Sequence, residues 1–263
     1  MIPNINAVRR VREEPAGATL RLLTINTHKG FSFLNRAFVL PELRDAVRST
    51  GADLVFLQEV HGEHSGHALR QPRWPQLPQY EYLADSIWPA FAYGRNAVYP
   101  AGDHGNAMLS KYPIDAHHNL DVSVGVQERR GILHCRISVP PGGREVHAFC
   151  VHLGLRERHR REQLVQLADY IDETLDADAA VIVAGDFNDW RQRAGPLLAR
   201  VGLREVFVER TQRAARTFPA RFPRLRLDRI YVRGVEIGEA VVLTSTPWPH
   251  LSDHVPLLSE IRL

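Results

Sequence analysis

AAVIVAGDFND, residues 179–189, is a short β-branched apolar run that breaks at Gly185 and ends on acid and amide side chains. A run of this length bounded by glycine reads as a buried strand. Its end delivers Asp186 and Asn188. The same pattern recurs along the chain: TLRLLTIN (19–26) ends on Asn26, DLVFLQEV (53–60) carries Glu59, and EVHAFCVHL (145–153) carries His152. Leu251-Ser252-Asp253-His254 stands just before the last run, VPLLSEIRL (255–263). GILHCRISV (131–139) and LDRIYV (227–232) also read as strands.

Helical stretches separate some of these runs. AFVLPELRDAVRSTG (37–51) puts Leu40, Leu43 and Val47 on one face and closes at Gly51, a residue suited to the position after a helix. Residues 157–175 set Leu164, Leu167, Ala168 and Ile171 at helical spacing. Pro140, Pro141, Gly142 and Gly143 predict a hairpin turn, so the strands on either side pair antiparallel. Strands outnumber helices and many are joined by hairpins, which predicts mixed sheets, not a purely parallel doubly wound one. The stretch from Gly62 to Gly105, rich in Pro, Trp, Tyr and His, reads as a long irregular loop, and such loops are often functional. With no repeat and no linker-like composition shift, one domain is expected over residues 19–263. Residues 1–18, MIPNINAVRRVREEPAGA, read as a loosely ordered tail.

Hydrophobic content of 44% and charged content of 24% are ordinary for a globular chain of 263 residues. No apolar run approaches the roughly 20 residues of a transmembrane helix, and the N-terminus has no secretory apolar core. Cys135 and Cys150 form neither a disulfide scaffold nor a zinc motif. Reduced, half-buried strand thiols and a cytoplasmic monomer are the expectation. Net charge is only +3, yet Lys29 and Lys111 are the sole lysines and every other basic side chain is arginine. Guanidinium forks match phosphate bidentately, although a high-GC genome would produce the same bias.

Oxygen donors at strand ends suit a hard cation such as Mg²⁺, which binds one or two carboxylates together with substrate phosphate oxygens. His152 and His254 lie too far apart in sequence for a local zinc motif, and there is no HExxH spacing. Each element alone is ordinary: GDFND by itself could cap a helix. Their order and company carry the reading.

Taken together, TINTHKG (24–30), LQEV (57–60), GNAMLSKYP (105–113), VHLG (151–154), GDFND (185–189), LDRIYV (227–232) and SDHVP (252–256) resemble the endonuclease/exonuclease/phosphatase superfamily over nearly the whole chain. The likeness is strongest to small bacterial members that share the 93–113 stretch. It implies a four-layer α/β sandwich: two mixed β-sheets packed face to face, with helices on both outer sides. It further implies Mg²⁺ or Mn²⁺ held by Glu59 with Asn26 and Asp253. Asp186 and Asn188 would position or deprotonate the attacking water. His254, oriented by Asp228, would hold the phosphate or act as base, while His152 would protonate or stabilise the leaving oxygen. Glu128 matches the carboxylate that orients that histidine in deoxyribonuclease I-like members. Asn106 matches a recurrent position near the phosphate, and His28, Tyr93, Arg95 and Arg226 are further expected substrate contacts.

Departures narrow the field. His28 stands where abasic-site nucleases carry a carboxylate, His152 where they carry tyrosine, and TFPARFPRLRLD (217–228) lacks their tryptophan. The expected reaction is therefore metal-dependent hydrolysis of a phosphoester, with nucleic acid as the first substrate class. Arginines 156–161 and 221–229 support that choice. The alternative is a phospholipid head group or small phosphoester, for which the aromatics Trp74, Tyr80, Tyr82, Trp88, Phe91 and Tyr93 would speak.

Overall fold

The computed structural model describes residues 17–126, 128–140 and 142–263. The expected tail lies outside them up to residue 16, as does Pro141 of the expected turn. Ala18, placed in that tail, accepts a hydrogen bond from Leu263 N at 3.0 Å.

The first half of the chain runs β1 (Thr19–Asn26), α1 (Leu40–Ser49), β2 (Leu54–His64), α2 (Ser65–Arg70), α3 (Gln79–Ala84), β3 (Ala90–Tyr99), β4 (Gly102–Ser110) and β5 (Ile114–Asp121). The second half continues β6 (Gly131–Val139), β7 (Arg144–His152), α4 (Glu157–Thr174), β8 (Ala180–Asp186), α5 (Ala194–Ala199), β9 (Arg204–Glu205), α6 (Val206–Thr211), β10 (Asp228–Arg233), β11 (Glu236–Val242) and β12 (Leu257–Arg262). The two sheets have orders β11-β12-β1-β2-β4-β3 and β5-β6-β7-β8-β10-β9. Among the described residues, only β1–β2 and β7–β8 pair parallel. Parallel neighbours need a crossover, which α1 and α4 supply.

Period-two alternation builds the layers. Leu20, Leu22, Leu54 and Phe56 of the first sheet meet Cys150, Ile182, Ala184 and Ile230 of the second in a shared core. Leu23, Ile25, Val55 and Leu57 face outward under α1 and α3. Phe149, Val151, Val181 and Val183 face outward under α4 and α5. The result is the four-layer sandwich. Burying a side chain such as Phe56 contributes about 2 kcal/mol, and a one-residue slip would expose the whole inner set of a strand. The core therefore fixes which polar side chains face inward at the strand ends.

The expected strands, the α1 and α4 helices and the β6–β7 hairpin are present, with ends shifted by a residue or a few. Two expectations are corrected. Residues 62–105 are not one irregular loop: they hold the end of β2, α2, α3, β3 and the start of β4. Both cysteines are fully buried, not half-buried, with thiols pushed up by burial.

Candidate active site

The inner faces turn polar at one rim. Along β1 the inward series Leu20, Leu22, Thr24 ends on Asn26. β7 ends on His152, β8 on Asp186, and antiparallel β10 begins with Asp228. Register places His152 opposite Asp186 and Asp228 opposite Asp186 on its other side. The C-terminal ends of the two parallel pairs open on the same rim. Asn26 Nδ2 spans the sheets, donating to Asp186 Oδ2 at 3.2 Å and Glu59 Oε1 at 3.3 Å.

Strict alternation would send Glu59 outward with Leu57. The β2–β4 register instead breaks between Leu57 and Val60, and Glu59 adopts a left-handed φ of 55°. Bulges of this kind re-aim a side chain, and such backbone costs energy for a non-glycine residue. Gly185 meets a different demand. Its φ is 147°, and a Cβ there would lie 2.0 Å from Val151 O, so only glycine lets β8 run this close to β7.

The loop before β12 completes the rim. Ser252 Oγ donates to Asn26 O at 2.6 Å and accepts from His254 N at 3.2 Å, tying the loop to β1. Asp253 Oδ1 pairs with His28 Nδ1 at 2.9 Å. His254 Nδ1 donates to Asp228 Oδ2 at 2.8 Å, and its Nε2 lies 3.9 Å from Asp186 Oδ2. His152 Nε2 approaches the same oxygen at 3.6 Å. Asp186 Oδ1 accepts from Asn188 N at 2.9 Å, while Asn188 Nδ2 donates to Leu153 O. Asp186 is thus surrounded by donors and opens toward both histidines.

Charge is distributed unevenly. Burial disfavours the His254 cation, but Asp228 and Asp186 outweigh it and lift its pKa to about 10. Burial, followed by Arg130, lowers His152 to about 3. One imidazole is therefore cationic at pH 7 and the other neutral. Burial raises Asp186; the His254 charge opposes this, Asp228 adds to it, and the balance is about 6. Burial also works against the Glu59 carboxylate, yet charge on His152, Lys29 and the Asn26 amide bring it down to about 2. Because His152 is neutral above about pH 3, Lys29 and the amide hold that carboxylate near neutrality.

These donors fit a hard dication. Glu59 is ionised, Asp253 adds a carboxylate, and Lys29 Nζ, itself a cation, sits 3.6 Å from Glu59 Oε2. Side-chain atoms of Asp186, Asp228 and His254 lie within 4.8 Å of one another, but His254, as a cation, offers no lone pair and meets the two carboxylates as a donor. Asn26 presents its amide nitrogen to the carboxylates, while its Oδ1 accepts from His28 N at 3.0 Å. It therefore bridges Glu59 and Asp186 as a donor instead of facing the cation site with oxygen.

The rim gathers Asn26, His28, Glu59, His152, Asp186, Asn188, Asp228, Asp253 and His254. Other expected residues lie elsewhere. Asn106 is fully buried and donates to Gly131 O and Cys150 O, clamping the two sheets, with its Oδ1 unpaired. Glu128 accepts from Leu155 N at 3.2 Å and lies 3.7 Å from Arg130, so its bonds go to the α4 entrance and not to His152. Tyr93 and Arg95 both engage Asp103, at 2.5 and 3.6 Å. Arg226 turns to Ala214 O and lines a different cleft with Arg213 and Arg216. Lys29 and Ser252 were missed as site residues, although both lie inside the quoted motifs.

The sequence profile of the Endonuclease/Exonuclease/phosphatase family matches residues 23–254. YbhP of Escherichia coli K12 is 55% identical over 246 residues, 93% of this chain and 97% of that protein. Danio rerio TDP2, complexed with a single-strand DNA product, superposes with a TM-score of 0.68 at 20% identity, covering 94% of this chain and all of that one. Bacteroides thetaiotaomicron mannosyl-6-phosphatase Bt3783 does so with a TM-score of 0.70 at 18% identity, over 93% and 100%. Likeness at that level is a likeness of fold, and the two structures differ in substrate.

Proposed function

Because the chain belongs to the endonuclease/exonuclease/phosphatase family, we propose that it hydrolyses phosphoester bonds with a divalent cation, Mg²⁺ or Mn²⁺, and that its substrate is a nucleic acid. The observation that carries the hydrolytic reading is the meeting of Glu59, Asp186, His152 and the His254–Asp228 pair around one rim.

Glu59 and Asp253 would hold the cation, which when bound neutralises charge developing on phosphate oxygens. Asp186, with a pKa near working pH, takes the proton of the attacking water. The Asn26 and Asn188 donors fix the direction of its two oxygens. His254, cationic and locked by Asp228, presents its Nε2–H to a phosphate oxygen as negative charge grows there. His152, neutral at pH 7, stabilises the leaving oxygen with a hydrogen bond instead of delivering a proton as imidazolium. Accordingly, His152→Ala should slow an alkyl-phosphoester substrate by about 10²-fold or more. With p-nitrophenolate as leaving group the loss should shrink. Equal losses on the two substrates would remove His152 from the leaving-group side.

Support for nucleic acid comes from the turn beside His254. Ala220 N donates to Asp253 O at 2.7 Å and the Phe218 ring lies 5.1 Å from the His254 ring. The same turn exposes Arg221, Phe222 (74% exposed) and Arg224. An aromatic between arginines at the edge of a phosphate site suits base stacking and backbone contact. In the stretch expected of a lipid enzyme, Phe91 is partly exposed, but Trp88 is fully buried with Nε1 donating to Ala52 O and is not free to meet a membrane.

Affinity for single- and double-stranded DNA and RNA, measured in Ca²⁺ to slow cleavage, should fall with salt by about 0.7–0.9 in log K per log salt for each phosphate contact. Arg221→Ala with Arg224→Ala should flatten that slope. A slope near zero on all three would overturn the nucleic-acid reading and leave a small phosphoester.

A further inference from the structure

β2 does not stop at Glu59. It continues to His64, and the chain turns at once into α2, so HGEHSGH (61–67) gathers three imidazoles in one cavity. Ring centroids of His64 and His67 are 3.9 Å apart and those of His61 and His64 4.8 Å. One ligating nitrogen from each of the three lies within 4.8 Å of the others. The hydrogen bonds fix where protons sit. His61 Nδ1 is 3.0 Å from Asp103 O and 3.1 Å from the Tyr99 hydroxyl; the carbonyl only accepts and the hydroxyl oxygen can accept too, so a proton on Nδ1 satisfies both contacts. Its Nε2 is then a bare lone pair, buried and without a partner, on a residue 1% exposed. His64 Nδ1 accepts from His67 N at 3.0 Å and is also unprotonated.

An unpaired buried lone pair is unfavourable unless something occupies it. An imidazole that donates its other ring N–H to a backbone carbonyl is the arrangement that orients a metal ligand. We propose that His61, His64 and His67 bind a borderline transition-metal dication, Zn²⁺ being the best match to an all-imidazole donor set. The site is distinct from the oxygen-lined rim and prefers a softer ion. Tetrahedral Zn–N geometry needs nitrogens about 3.4 Å apart, so the rings close slightly on binding, and His64 Nδ1 exchanges its α2 cap for the ion. His104, whose Nδ1 is likewise buried and unpaired, supplies the next imidazole, 6.2 Å ring to ring from His61. Lys29 lines the same cavity and reaches Glu59, so an ion here borders the rim without sharing its ligands.

The test is binding of the metal alone, read by Zn²⁺ titration against a chromophoric chelator and by the visible d–d bands of bound Co²⁺. Wild type should bind one equivalent with the bands of a low-coordinate imidazole site, apart from any ion held at the rim, and Glu59→Gln should retain that equivalent and those bands. His64→Ala and His67→Ala, at partly exposed positions, should each weaken Zn²⁺ binding by more than about 10²-fold, since losing even an outer partner of a ligand costs roughly 10–100-fold. Metal-free melting should stay near wild type in His67→Ala and fall only modestly in His64→Ala, which also loses the α2 cap. The site is refuted if wild type binds no Zn²⁺, if the two variants bind as wild type does, or if Glu59→Gln alone abolishes binding. None of these readouts depends on activity, so the result stands apart from the hydrolase reading.

Discussion

Asp186→Ala should lower kcat by about 10³-fold on any phosphoester the protein hydrolyses, in the middle of the range for a lost general base. The effect is large because Asp186 is the point where Asn26, Asn188, His152 and His254 converge. Stability should move the other way. Its carboxyl is raised from 3.8 to about 6, chiefly by burial, so the folded state holds a proton that the unfolded chain releases. The cost of ionising it is absent below about 3.8, grows between there and about 6, and is fully present above. Asp186→Asn should therefore melt no lower than wild type at pH 7, with any advantage shrinking on acidification through that window. Thermal melts at pH 4 and pH 7 beside steady-state kinetics check both halves. A variant that loses activity and also melts far lower at pH 7 would make Asp186 a structural residue.

His254→Ala should cost about 10²–10³ in kcat, the magnitude typical of one lost donor to a developing oxyanion. Here stability falls too, because Asp228, 1% exposed, is left without its partner while its Oδ1 is already unpaired. Breaking a buried charge pair from one side typically costs about 3–5 kcal/mol. Adding Asp228→Asn should restore much of the melting temperature and none of the activity. Recovery of activity by the double variant would show that His254 acts by holding the fold.

The four-layer sandwich was legible through the family resemblance, whereas the mixed sheets and most of the rim were legible in the runs themselves for one reason. Buried strands are short apolar runs, and a polar residue at the end of such a run sits where the core opens. Asn26, His152, Asp186 and Asp253 were found in this way, and the order of the motifs supplied their company. Glu59 was found by its motif, but its left-handed backbone and the register break that aims it were not visible. β3 and β4 were hidden because Gly94, Gly102 and Gly105 interrupt them and β3 is half exposed, so alternation is weak. Side-chain partners in the turn before β10 and on β3 were also out of reach. Arg226 lies two residues before Asp228 yet turns to Ala214 O, and Tyr93 and Arg95 are taken up by Asp103. His61, His64 and His67 could be counted but not joined, because they meet only where β2 runs on and turns into α2.

Metal-assisted phosphoester hydrolysis at this rim underlies the expectations above. Its most direct test is turnover across plasmid DNA, single-stranded DNA, RNA, phospholipids and inositol phosphates, with Mg²⁺ or Mn²⁺, with EDTA, and with Glu59→Ala. The expected result is hydrolysis of at least one substrate that EDTA abolishes, that added Mg²⁺ or Mn²⁺ restores, and that folded Glu59→Ala does not perform. Full turnover in EDTA, or a Glu59→Ala protein as fast as wild type, would contradict it.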